Sequence, residues 1–182
     1  MKILDATCGF RGIWYIKKHP LVTYMDKRKC IIDAKEKNGA IYNINPDVVS
    51  EWKDTPFPDG YFDVVIFDPP HKFIHRDSKK KLGVIEQEYG LFYYETWQNE
   101  IKTGVAKLFD VLKPGGLFIL KWNENMKPVK EVIKLFPYPP AFGTRQNQPI
   151  KGVKNSHWIF FLKYDVNNKL NIGDEKTRCN NK

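Results

Sequence analysis

The chain has 182 residues, 42% of them hydrophobic, and a formal charge of +9. That length suits one domain with a full core. No apolar run reaches the roughly 20 residues of a membrane-spanning helix, and Asp5 interrupts the stretch where a secretory leader is uniformly apolar, so the expectation is a cytoplasmic protein without a membrane partner. Cys8, Cys30 and Cys179 are odd in number and far apart, which fits reduced thiols and neither a disulfide framework nor a zinc pattern. The basic balance favours a polyanionic partner, of which phosphate is the usual one, and so points to nucleic acid.

In chain order, Ile3-Leu4-Asp5-Ala6 reads as a first buried strand ending in small and polar residues. A tight turn follows at 7–12, then a short helix over 12–18 that Pro20 stops. Leu21–Met25 reads as a second strand closed by Asp26. Residues 31–44 flank Asn38-Gly39, a hairpin signal. Pro46–Val49 begins a third strand or a sheet edge, and Pro56-Phe57-Pro58-Asp59-Gly60 is turn chemistry. Tyr61–Phe67 is the strongest strand, apolar enough to be buried on both faces. Residues 71–94 have no clear period and read as a long functional loop containing Lys79-Lys80-Lys81. Helical spacing of Ile101, Val105, Leu108, Phe109 and Leu112 predicts a helix over 95–112, broken by Pro114-Gly115-Gly116. Leu117–Leu120 is another buried strand, 128–135 a helix with Pro128 in its first turn, 137–157 a Pro/Gly-rich segment, and Trp158–Leu162 a last strand. Residues 165–182, Asn/Lys-rich, form an expected disordered basic tail on a single domain over 1–164.

Strands alternating with helices imply an α/β fold with a mostly parallel, doubly wound sheet. Ligands in such sheets bind beyond the carboxyl ends of the strands, at the topological switch point. Residues 5–12, Asp26 and Asp68-Pro69-Pro70-His71 fall there.

Asp68-Pro69-Pro70-His71 is the sharpest of these segments. Two prolines fix the backbone and remove two N–H donors, leaving outward carbonyls beside a carboxylate. That set accepts the hydrogens of an amino group. Together with Asp5-Ala6-Thr7-Cys8-Gly9, Asp26, Pro56-Phe57-Pro58-Asp59 and Pro114-Gly115-Gly116-Leu117, it resembles the class I S-adenosylmethionine-dependent methyltransferases, and within them the amino-methyltransferases with Asp/Asn-Pro-Pro-aromatic. The resemblance covers roughly residues 2–164 and includes the order of the motifs. It implies a Rossmann-like, seven-stranded sheet and S-adenosylmethionine as cofactor. Asp5, Ala6, Thr7, Cys8 and Gly9 correspond to the first motif at the methionine part, although Thr7 and Arg11 stand where that family often has glycine. Asp26 would take the ribose hydroxyls, Glu51 the adenine amino group and Trp52 its ring, with Asp68 facing both cofactor and acceptor. Asp68, Pro69 and Pro70 would hold the acceptor amine, and His71, in place of the usual aromatic, would stack on it.

On the acceptor side the expected contacts are Lys79, Lys80, Lys81, Trp122, Asn123 and Arg145. Aromatics mixed with lysine and arginine suit flipped or single-stranded bases. The resemblance favours an exocyclic amine of adenine or cytosine in DNA or RNA. A protein or small-molecule N-methyltransferase, or a non-catalytic nucleic-acid binder on the same fold, are the alternatives. The histidines form no ligand pattern with cysteine or carboxylate, so no metal is expected. No nucleophile-elbow motif supports serine-histidine-aspartate chemistry.

Overall fold

In a computed structural model, residues 1–35, 39–79, 83, 90–144 and 156–164 are described. The strands are β1 (Ile3–Asp5), β2 (Val22–Asp26), β3 (Cys30–Ala34), β4 (Ala40–Ile44), β5 (Val48–Val49), β6 (Phe62–Phe67), β7 (Phe73–Ile74) and β8 (Phe92–Tyr93); then come helix α1 (Trp97–Asp110), β9 (Leu112–Asn123), helix α2 (Val129–Ile133), β10 (Phe142–Gly143) and β11 (Ser156–Leu162). The near-continuous apolar run of β6 places it at the centre of a seven-stranded sheet of order β10-β11-β9-β6-β1-β2-β5. β5, β2, β1, β6 and β9 run parallel, and β11 and β10 antiparallel. The order reverses at β1, with β2 on one side and β6 on the other, which makes the carboxyl ends of β1 and β6 the switch point.

Alternation along the strands divides the apolar residues between two faces. Leu4, Met25, Val65, Phe67, Phe118, Leu120, Ile159 and Phe161 belong to the main core. Helix α1 packs there because Trp97, Ile101, Val105, Leu108 and Phe109 recur on one side of it; Phe109 stacks on Phe118 at 4.5 Å. Helix α2 adds Val132 to the same core. At Gly104 the indole of Trp52 lies where a Cβ would stand. Beyond β11, Lys163 donates its ammonium to the carbonyl of Phe109 in the last turn of α1, where the helix dipole favours it, and to that of Leu112 at the start of β9, each at 2.6 Å. On the second face, Cys8, Val22 and Tyr24 form a small cluster with Ile3 and Trp14.

The hairpin expected over 31–44 is β3–β4, and the sheet edge expected at 46–49 is β5. The helix expected over 12–18 is instead a series of turns. Side-chain bonds of this segment outcompete a short helix confined between Gly12 and Pro20: Trp14 Nε1 donates to Asp5 at 2.7 Å, and the Tyr24 hydroxyl donates to the Ile16 carbonyl at 3.3 Å. Pro114-Gly115-Gly116 does not separate helix from strand. β9 runs through it, accommodated by Gly115 at φ 77° and a register shift opposite Phe62–Val64. The 71–94 segment contains the parallel ribbon β7–β8, anchored by buried Phe73 and Phe92. β10 lies in the segment read as Pro/Gly-rich. The tail at 165–182 lies outside the described residues.

Candidate active site

The strand ends at the switch point enclose a cavity of about 380 Å3. All nine residues expected at the cofactor line it: Asp5, Ala6, Thr7, Cys8, Gly9, Asp26, Glu51, Trp52 and Asp68. Its size falls within the range of small-molecule sites, about 300–1,000 Å3. Local hydrogen bonds fix its floor. Thr7 Oγ1 accepts the backbone N–H of Asp68 at 2.9 Å, tying the ends of β1 and β6 together. Gly9, at φ 50°, donates its N–H to Asp26 Oδ2 at 3.0 Å. Arg11 occupies the left-handed region at φ 62°. Its guanidinium is held by the carbonyls of Lys17 and Asn45, at 2.6 and 2.9 Å, over the Tyr24 ring. The two departures from glycine in the first motif therefore have separate roles: Thr7 is a crosslink, and Arg11 adopts a conformation usual for glycine.

Three carboxylates face this floor. Burial pushes Asp5 up from 3.8 to about 7, against hydrogen bonds from Trp14 and Thr7, with the charges of Asp68 and Asp26 adding to the rise. Asp68 is also raised by burial, opposed by Lys121. Lys121 Nζ lies 2.7 Å from Asp68 Oδ2, at the end of the neighbouring strand β9, and it too lines the cavity. Asp26 is held in a fork by Arg28, through Nε at 3.0 Å and Nη2 at 3.2 Å. A ribose diol bound at Asp26 must displace or share that guanidinium. Burial also raises the Cys8 thiol.

Glu51 stands at the mouth between Lys53 at 3.0 Å and Lys27 at 3.4 Å. Burial would raise its pKa, but the bond and charge of Lys53, with Lys27, hold it below the ordinary value. Trp52 lines the cavity yet is mainly a core residue, packed 4.8 Å from Phe67.

Of the Asp-Pro-Pro-His residues, Asp68 and Pro70 line the cavity, Pro69 is buried behind them, and His71 follows half-buried, outside the lining. One expectation on the acceptor side is corrected. Trp122 is 1% exposed, faces the main core and donates to the Lys127 carbonyl at 2.9 Å. Asn123 closes a turn, bonding Ser156 and the Asn125 N–H. Lys79 is exposed; Lys80, Lys81 and Arg145 lie outside the described residues. Among the described residues no group of three His, Cys, Asp or Glu is placed to hold a metal ion, and no helix is long and apolar enough to cross a membrane.

Sequence reasoning missed Lys121, Arg28 and Trp14. The signal for Lys121 was its place one residue past Leu120 in an alternating strand, next to the strand that ends at Asp68.

No protein-family model and no curated protein matches the chain. Solved structures do resemble it. An S-adenosylmethionine-dependent methyltransferase from Methanosarcina mazei aligns over 90% of this chain and 92% of its own, with 14% identity and a TM-score of 0.50. The PH0226 protein of Pyrococcus horikoshii OT3 aligns over 89% and 81%, with 15% identity and a TM-score of 0.50. A geranyl diphosphate methyltransferase, solved in complex with GPP and sinefungin, aligns over 89% and 72%, with 11% identity and a TM-score of 0.51. The chain has the fold of the class I S-adenosylmethionine-dependent methyltransferases.

Proposed function

We propose that the chain is an S-adenosylmethionine-dependent N-methyltransferase acting on an exocyclic amine of adenine or cytosine in DNA or RNA. The observation that carries this reading is Asp68. It follows the central strand at the switch point, lines the cavity, and precedes two prolines. Its backbone is held by Thr7 and one carboxylate oxygen by Lys121.

The donor set fits the cofactor. Asp26 suits the ribose hydroxyls, Glu51 the adenine amino group, and the buried Asp5 the positive charge of the methionine end. Bound there, S-adenosylmethionine would supply an electrophilic methyl group, the broken sulfur–carbon bond leaving its electron pair on the neutral thioether S-adenosylhomocysteine. The chain's own work is orientation and exclusion of water, which together contribute several kcal/mol. Asp68 Oδ1 accepts an N–H of the amine while Lys121 holds Oδ2, so the carboxylate cannot rotate away. As the nitrogen forms its bond to carbon it gains positive charge, which Asp68 offsets before taking the departing proton. The net charge of +9 supports a polyanionic acceptor.

The test is tritiated-methyl transfer onto DNA, RNA and protein pools, followed by nucleoside analysis. Asp68→Ala is expected to lower turnover a hundredfold or more, about 3 kcal/mol of transition-state stabilisation, with cofactor affinity by calorimetry nearly unchanged. Wild-type turnover by Asp68→Ala on a verified substrate would end the amino-methyltransferase reading.

A further inference from the structure

The ends of five adjacent strands form a row across the sheet: Asp26 of β2, Asp5 of β1, Asp68 after β6, Lys121 of β9 and Trp158 of β11. The first four line the cavity. Trp158 is the direct cross-strand partner of Lys121, and such partners point to the same side of the sheet. It therefore stands on the face from which Lys121 reaches Asp68, two strand spacings, about 10 Å, from that carboxylate.

The chain has five tryptophans, and four of them have internal duties. Trp14 and Trp122 donate to Asp5 and to the Lys127 carbonyl. Trp52 and Trp97 pack on the rings of Phe67 and Phe73. Trp158 is half-buried, and among the described residues its indole has neither a ring neighbour nor a hydrogen-bond acceptor. An aromatic side chain left in this way, in line with the carboxylate that holds the amine and away from the acids suited to the cofactor, is placed to receive a ring.

We propose that Trp158 is the stacking surface of the acceptor subsite, and that the acceptor is accordingly an unpaired, planar nucleobase rather than an aliphatic amine. This rests on the methyltransferase reading above. A base must leave its stack for its amine to reach Asp68, and an indole face offsets the lost stacking for any base, since all have a π-surface. Lys121, between the two, keeps Asp68 oriented.

The experiment compares wild type, Trp158→Leu and Trp158→Phe, using a single-stranded oligonucleotide containing adenine and cytosine and a lysine-rich peptide as acceptors. Trp158→Leu, which keeps apolar bulk, is expected to raise the KM for the oligonucleotide about tenfold or more, with a smaller change in kcat. Trp158→Phe should restore most of the loss. Calorimetric affinity for S-adenosylmethionine should match wild type in both variants, showing an intact fold. Oligonucleotide binding should quench wild-type tryptophan fluorescence, and the two variants should lose that component. If wild type methylates the oligonucleotide and Trp158→Leu does so with unchanged KM and unchanged quenching, the subsite is wrong and the methyltransferase reading stands. If wild type binds the cofactor but methylates only the peptide, the nucleobase reading and the subsite fall together.

Discussion

Asp5 illustrates how a single buried group ties stability to ligand charge. Its folded pKa of about 7 lies above the ordinary 3.8. A raised pKa means that the folded state holds the proton more tightly than the unfolded one. The stability this lends is complete below about pH 4 and is lost as pH rises to about 7. Asp5→Asn keeps an acceptor for Trp14 and removes the charge. Urea unfolding of both proteins at pH 5 and pH 8 should show the variant gaining relative to wild type at the higher pH; a pH-independent difference would deny the shift. On the proposed function, a cationic cofactor draws Asp5 into its ionised form, so wild-type binding near pH 6 should release a proton and Asp5→Asn should not. The acid was legible in the sequence because it ends a short apolar strand. Its burial was not, because Trp14 covers it from a segment whose local pattern suggested a helix. Trp122 was misplaced for a related reason: alternation in β9 sends Lys121 to the cavity and its neighbour to the core, and the phase of an alternation is fixed only once the strand's partners are known.

At the scale of elements, the wall of the cavity depends on the contact between α1 and Trp52. At Gly104 the indole lies where a Cβ would stand, and the ring is braced behind by Phe67 at 4.8 Å and Phe92 at 6.4 Å. Alanine there gains about 1 kcal/mol of helix propensity but crowds a ring that cannot retreat, a cost of about 1–3 kcal/mol. The net cost is about 1 kcal/mol, so Gly104→Ala is expected to lower Tm by about 2–4 °C and, on the proposed function, to weaken cofactor binding by straining the wall that Trp52 forms. An unchanged Tm in differential scanning calorimetry would show that the ring gives way. The helix itself was legible from five apolar positions at helical spacing. The glycine's purpose was not, since its partner lies about fifty residues away in sequence. Very short strands such as β7, β8 and β10 span too few residues to display a period, so the sequence left them as loop.

For the molecule as a whole, the +9 charge is a statement about partners. If the acceptor is a polynucleotide, affinity should fall linearly on a double-logarithmic plot against salt. Neutralising Lys79, Lys80 and Lys81 together should flatten the slope by about 2. A salt-independent affinity, measured by fluorescence anisotropy, would favour a protein or small-molecule acceptor. The first crossover of the sheet carries a different consequence. Between β1 and β2 the chain is turns, with Arg11 bonded back to Cys8 and Trp14 to Arg11, so one wall of the cavity lacks a continuous helical ladder. Such a segment opens at a lower free energy than the strands around it. The amides of residues 9–16 are therefore expected to exchange with deuterium well before those of β1 and β6 in the free protein, and to slow when S-adenosylmethionine is added. Equal protection with and without the cofactor would mean that the segment is already rigid. In the expected case, ligand binding completes the local cooperativity of the fold, and a stretch less stable than the strands beside it acts as the reporter of its occupied state.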